Sequence, residues 1–164
     1  SHIDILNKHF HTNMYNSIPL KCIAKVFPRF FQWMIDRLYK KHITKQDIQN
    51  YKFEFRESAI QILKEQMMKK KRVIIISNAP SEIVDKAGKD LNIEAFTSPV
   101  GKKYNILKSI VPDLKELTVV TDNLTDIDLL KMADKQIIYT DKKNKYFFLK
   151  QGMEHAVFLD RRGE

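Results

Sequence analysis

Residues 117–141 read LTVVTDNLTDIDLLKMADKQIIYTD: an apolar run, an acidic turn, a mixed segment and a second apolar run. Val, Thr, Ile and Tyr dominate the two runs, and such side chains suit an extended, half-buried chain. The intervening TDIDLLKMADK reads as a helix. Strand, helix and strand in this order place the two strands parallel, because a helical crossover returns the chain to the same end of a sheet.

The alternation continues on both sides. Upstream, ESAIQILKEQMMKKK reads as an amphipathic helix, RVIIISNA as a strand, SEIVDKAGKDLN as a helix, EAFTS as a short strand and KKYNILKSIVPDL as a helix. Downstream, NKYFFLKQGM reads as a helix and HAVFLD as a last strand. Continuous apolar strands between helices imply an α/β fold, a Rossmann-like parallel sheet with helices on both faces. We assign it to residues 53–164.

Residues 1–52 read differently, as a mostly helical, cap-like region. Phe27, Phe31, Met34, Ile35 and Leu38 recur at spacings of three and four, which gives a helix one apolar face. Pro28 breaks or restarts that helix, and Thr44 with Asp47 three residues on marks the start of another. The aromatic stripe Phe27, Phe30, Phe31 and Trp33 reads first as core.

Composition bounds the chemistry. The chain has 164 residues, 43% of them hydrophobic, enough for one ordinary domain with a real core. Its single cysteine, Cys22, excludes an internal disulfide framework and suits a reducing compartment. The opening SHIDILNKHFHTNM lacks the apolar core of a signal peptide, and no uninterrupted apolar stretch approaches the roughly 20 residues that span a bilayer. A cytoplasmic protein is the expectation. The net charge of +9 is uneven, with 15 Lys and Arg against 6 Asp and Glu in residues 1–72 and 14 against 14 thereafter. Lys69–Arg72 is the densest run; it reads as a solvated helix end, and without a recognition motif nucleic acid is not an expected partner.

In parallel α/β sheets ligands bind beyond the carboxyl ends of the strands, and three strand ends here carry polar residues. Ser77 and Asn78 follow the apolar VIII, ahead of a helix beginning near Ser81; a hydroxyl and free amides there suit a phosphate oxygen, though a turn with Ser81 as helix cap is the plain alternative. Lys102 and Lys103 stand at a helix start, where a fixed cation neutralises phosphate. Asp122 ends the strand 117–121, and Asp126 lies four residues on, near the first turn of the next helix. Close carboxylates repel, and a divalent cation with oxygen ligands offsets that cost; helix capping is the alternative for Asp126, and Asp128 is expected to point elsewhere.

The order of these features, a serine after an apolar strand, a lysine at a helix start about twenty-five residues later, then hydrophobic-Asp-Asn-x-x-x-Asp, resembles the second, third and fourth motifs of the haloacid dehalogenase-like (HAD) superfamily. The likeness covers roughly residues 54–140 and is nearest in flavour to the phosphoserine-phosphatase-like branch, in which a helical cap is inserted early. It implies a phosphatase that hydrolyses a small phosphorylated metabolite through an aspartyl-phosphate. Ser77 and Asn78 would bind the phosphoryl group, Lys103 would neutralise it, and Asp122 and Asp126 would hold Mg²⁺. Lys103 is preferred to Lys102 because Ile106 and Leu107 then follow it by three and four residues. Trp33 and Phe30 would line the cap.

One motif of the family is not found. Its first, Asp-x-Asp after a mid-sheet strand, supplies the nucleophile and the acid/base; near the amino terminus only Asp4 occurs, without an apolar lead or a second aspartate. A sheet lacking that strand is expected to show a gap between its neighbours, with backbone groups that must find partners. Three readings follow: the motif precedes Ser1 in a longer parent; HAVFLDRRG supplies Asp160 in its place, with Arg162 where the acid/base aspartate belongs; or the chain is a non-catalytic relative that binds phosphate or a polyanion.

Overall fold

The computed structural model describes Ile5 and residues 28–160, with the backbone but not the side chains of 28–33. Cys22, Phe27 and Arg162, and the side chains of Phe30, Phe31 and Trp33, lie outside the described residues. Within them are seven helices and five strands: α1 Pro28–His42, α2 Lys45–Asn50, α3 Glu57–Met68, β1 Ile74–Ser77, α4 Ser81–Leu91, β2 Glu94–Thr97, α5 Lys103–Ile110, β3 Thr118–Thr121, α6 Ile127–Leu130, β4 Lys135–Thr140, α7 Lys142–Lys150 and β5 Val157–Asp160. No helix among the described residues is long and apolar enough to cross a membrane. The chain divides into two compact units, Ser1–Phe53 with Ala79–Asn92, and Glu54–Asn78 with Ile93–Glu164.

The first unit is helical where described. Pro28 is the first residue of α1, the position where a missing N–H costs nothing. Ile35 and Tyr39, four apart on α1, are buried together with Ile48 of α2 and Ile83 of α4, and Met34 and Leu38 pack against them. Thr44 caps α2 through a reciprocal box: its hydroxyl accepts from Asp47 N, and the Asp47 carboxylate accepts from Thr44 N at 2.8 Å. Tyr39 is only 5% exposed, and burial, followed by the nearby Glu82 carboxylate, pushes its phenol up to about 12.

The second unit is α/β, with every strand pair parallel. β1 pairs with β2 from Ile74↔Glu94 to Ser77↔Thr97. β4 is central to a second sheet of order β3-β4-β5, in register from Thr118↔Lys135 and from Ile137↔Val157. The single parallel sheet expected from the alternation is therefore two sheets of two and three strands. Paired on both edges, β4 buries Ile137, Ile138, Tyr139 and Thr140. Leu107, Val119, Leu129, Leu130, Ile138, Phe148 and Met153 form the core, each of the fully buried ones stabilising by about 1.5–3 kcal/mol.

Helix ends follow local chemistry. α5 stops at Ile110, ahead of Pro112, which cannot continue it. Asp141 caps α7, accepting from Asn144 N at 2.8 Å. α6 has just four residues, much shorter than the helix expected over 125–135; the chain instead turns at 131–133, and Asp134 binds back to Leu117 N at 2.7 Å.

Candidate functional site

A four-residue turn delivers Lys103 to its place. Lys102 N donates to Pro99 O (3.2 Å), and Gly101 takes a φ of +70°, which a side chain would strain. α5 then begins with Lys103, whose ammonium is buried, 7% exposed, and donates to Asp126 Oδ2 at 2.8 Å. Asp126 is 4% exposed. This pair joins the segment that follows β2 to the segment that follows β3.

The chain after β3 is wound around that carboxylate. Thr121 Oγ donates to the same Asp126 oxygen at 2.7 Å and accepts from Asn123 N at 3.0 Å. Asn123 Oδ1 in turn accepts from Thr125 N and Thr125 Oγ at 3.1 and 3.0 Å, an Asx turn that carries the chain from strand to helix. Asp126 sits at the N-cap position of α6, yet its side chain makes no capping bond there. Its carboxylate serves Lys103 instead of its own helix.

Asp128 has a structural task as well. Its Oδ2 accepts from Tyr104 N at 3.2 Å, in the first turn of α5, whose own N-cap residue Lys102 gives no side-chain bond. A carboxylate there meets an unpaired N–H and the positive end of the helix. The other oxygens, Asp126 Oδ1 and Asp128 Oδ1, are buried without a hydrogen-bond partner. Two orphaned anionic oxygens are costly, and each would gain from a donor or a cation.

Asp122 is more exposed and faces Arg56, whose guanidinium lies 3.6 Å from Oδ2. Arg56 also stacks over the Tyr139 ring, 5.0 Å from its centre, and the Tyr139 hydroxyl is bonded to that of Ser58. At the end of β1, Asn78 Nδ2 donates to Ser98 O at 2.7 Å while Ser98 N donates to Ser77 O at 2.8 Å, which fixes the start of the 98–102 turn. Ser81 is the first residue of α4 and bonds to Glu82, not to a helix N–H; Pro80 is the N-cap.

Of the residues singled out in the sequence, the structure thus brings Lys103 and Asp126 into direct contact, places Asp122 against Arg56, and ties Asn78 to the turn ahead of Lys103. Arg56 and the capping role of Asp128 had no local sequence signal, since their partners lie 66 and 24 positions away, and Thr121, five positions from Asp126, reads only as a strand residue. The orphaned Asp126 Oδ1 has the hard-oxygen chemistry that Mg²⁺ takes. The described residues nevertheless hold no group of three acidic, His or Cys side chains arranged for a metal ion. Comparison of the chain with family models, curated proteins and solved structures finds no match to any of them.

Proposed function

We propose that the carboxyl-end cluster is the phosphate and Mg²⁺ end of a HAD-like phosphoryl-transfer site that takes a small phosphorylated metabolite. One observation carries this reading: a buried carboxylate, Asp126, holds a buried lysine and a threonine on one oxygen and leaves the other oxygen unsatisfied. Structural ion pairs seldom leave such an atom, because its desolvation is uncompensated. In this reading Asp122 and Asp126 hold Mg²⁺, which supplies positive charge to a dianionic phosphoryl group. Lys103 adds a fixed cation from α5, shared with Asp126 until substrate competes for it. Ser77 and Asn78 offer a hydroxyl and an amide at the end of β1.

A second reading has its own observations: Asp122 faces the Arg56 guanidinium at 3.6 Å, and no three-ligand metal group occurs among the described residues. In this reading the site binds phosphate or a polyanion without turning it over. Hydrolysis of a generic phosphomonoester with and without Mg²⁺, together with thermal unfolding in orthophosphate plus Mg²⁺, separates the two. Mg²⁺-dependent turnover lost in Asp122→Asn supports the phosphatase. Raised melting without turnover selects the binding module, and neither effect refutes both.

A further inference from the structure

β1 and β3 have the sequences of inner strands but the surroundings of edge strands. An inner strand of a helix-covered parallel sheet is an apolar run because both of its faces are buried. β1 is such a run, Ile-Ile-Ile-Ser, yet none of its four residues is buried, and among the described residues it pairs with β2 alone. β3 pairs with β4 alone and leaves Val120 40% exposed. α3 is a twelve-residue amphipathic helix that buries no residue at all.

These three deficits meet in one place. A cavity of about 770 Å³ is lined by Ile74 and Ile75 of β1, Thr118 and Val120 of β3, and Ile62 and Leu63 of α3. β1 and β3, each laddered on one edge among the described residues, thus both border one apolar space, where an unpaired peptide group is costly.

We propose that this cavity seats one further polypeptide strand, an extended apolar segment of about five residues that pairs with β1 on one side and β3 on the other. An apolar small molecule would fill the volume but could not satisfy two ladders. A strand does both. Its direction is parallel to the strands it joins, since every ladder in this unit is parallel and Lys103–Asp126 ties together the segments leaving β2 and β3. Its flank is acidic: of the charged residues bordering the cavity, Lys71 holds Glu116 at 2.8 Å and Arg72 holds Glu94 at 2.7 Å, which leaves Lys70 and Lys115 against Asp113. The proposal rests on pairing, burial and charge, and stands or falls apart from the phosphate reading.

The test uses the chain of 164 residues and a labelled synthetic peptide, acetyl-Glu-Asp-Val-Val-Ile-Val-Thr-amide, alongside the same peptide with proline at its central valine. Fluorescence polarisation reads binding, and amide hydrogen exchange reads protection. The expected result is saturable binding, slowed exchange in 74–77 and 118–121, and affinity weakened at least about tenfold by the proline, which removes a ladder donor. Val120→Glu, checked for native melting, is expected to weaken binding comparably. Equal binding of the proline peptide would mean an apolar pocket and overturn the strand. Absence of binding, or protection of both segments in the chain alone at every dilution, would overturn it too. Protection that appears only with rising protein concentration would assign the cavity to a second copy and equally reject the proposal.

Discussion

β1 and β4 make an instructive pair, since one reads Ile-Ile-Ile-Ser and the other contains Ile-Ile-Tyr-Thr, and both read in the sequence as apolar strands of a helix-covered parallel sheet. β4 has a hydrogen-bonded neighbour on each side and buries four consecutive residues. β1 has one such neighbour and buries none. Apolar content makes a strand fit to be buried, but burial is conferred by the elements that flank it. The helices differ in parallel: α7 sends Phe148 into the core at 0% exposure, whereas α3, with Ile60, Ile62 and Leu63, sends nothing.

If this difference is energetic as well as geometric, truncations on the two sides should diverge. Phe148→Ala is expected to cost about 3–5 kcal/mol in urea unfolding, because a fully buried ring is removed from a closed core. A cost near 1 kcal/mol would show the core to be looser than its burial indicates. Lys103→Met leaves Asp126 buried without its cation and is expected to cost about 3 kcal/mol. The double variant Lys103→Met/Asp126→Leu is expected to recover most of that loss, and additive losses in the double-mutant cycle would deny the coupling. On the other side, Ile75→Ala removes a half-buried side chain that borders an existing cavity. Its expected cost is about 1 kcal/mol, since no new closed void forms. A value equal to that for Phe148→Ala would erase the contrast.

The smallest effect concerns the helical unit and shows whether the comparison is confined to the other one. The Tyr39 phenol is held protonated in the folded chain up to about 12, while in the unfolded chain it ionises near its ordinary value of 10. The stability it contributes is therefore full below pH 10 and is lost as pH rises through 12. Tyr39→Phe is expected to flatten the alkaline fall in melting temperature, with little change at neutral pH. An unchanged alkaline slope would exclude Tyr39 as its source.

Much of the candidate site was visible in the chain. Asp122, Asp126, Ser77 and Lys103 stand out because strand ends in an alternating pattern are local features, readable from a few consecutive residues. Their partners were not readable. Arg56 reaches Asp122, Thr121 shares the oxygen that Lys103 holds, and Asp128 caps a helix that begins 25 positions earlier. The reading of Asp126 as a helix cap was locally sound, and a cation brought in by another helix outcompeted it: a charged, buried partner is worth more than one end N–H.

The sequence by itself determined the elements, their order and their parallel pairing. Apolar runs, a capping box at Thr44 and Pro28 as a helix start act within a few residues and are found where the pattern puts them, whereas the helix read through Pro112 to Leu114 stops at Ile110. Tertiary structure alone decided that the strands form two sheets, that Lys103 lies on Asp126, and that β1 and α3 are left half-covered around a cavity. The reason is that secondary structure answers to local chain chemistry, whereas burial and ion pairing depend on which distant segments arrive beside a residue, and no stretch of sequence records its neighbours in space.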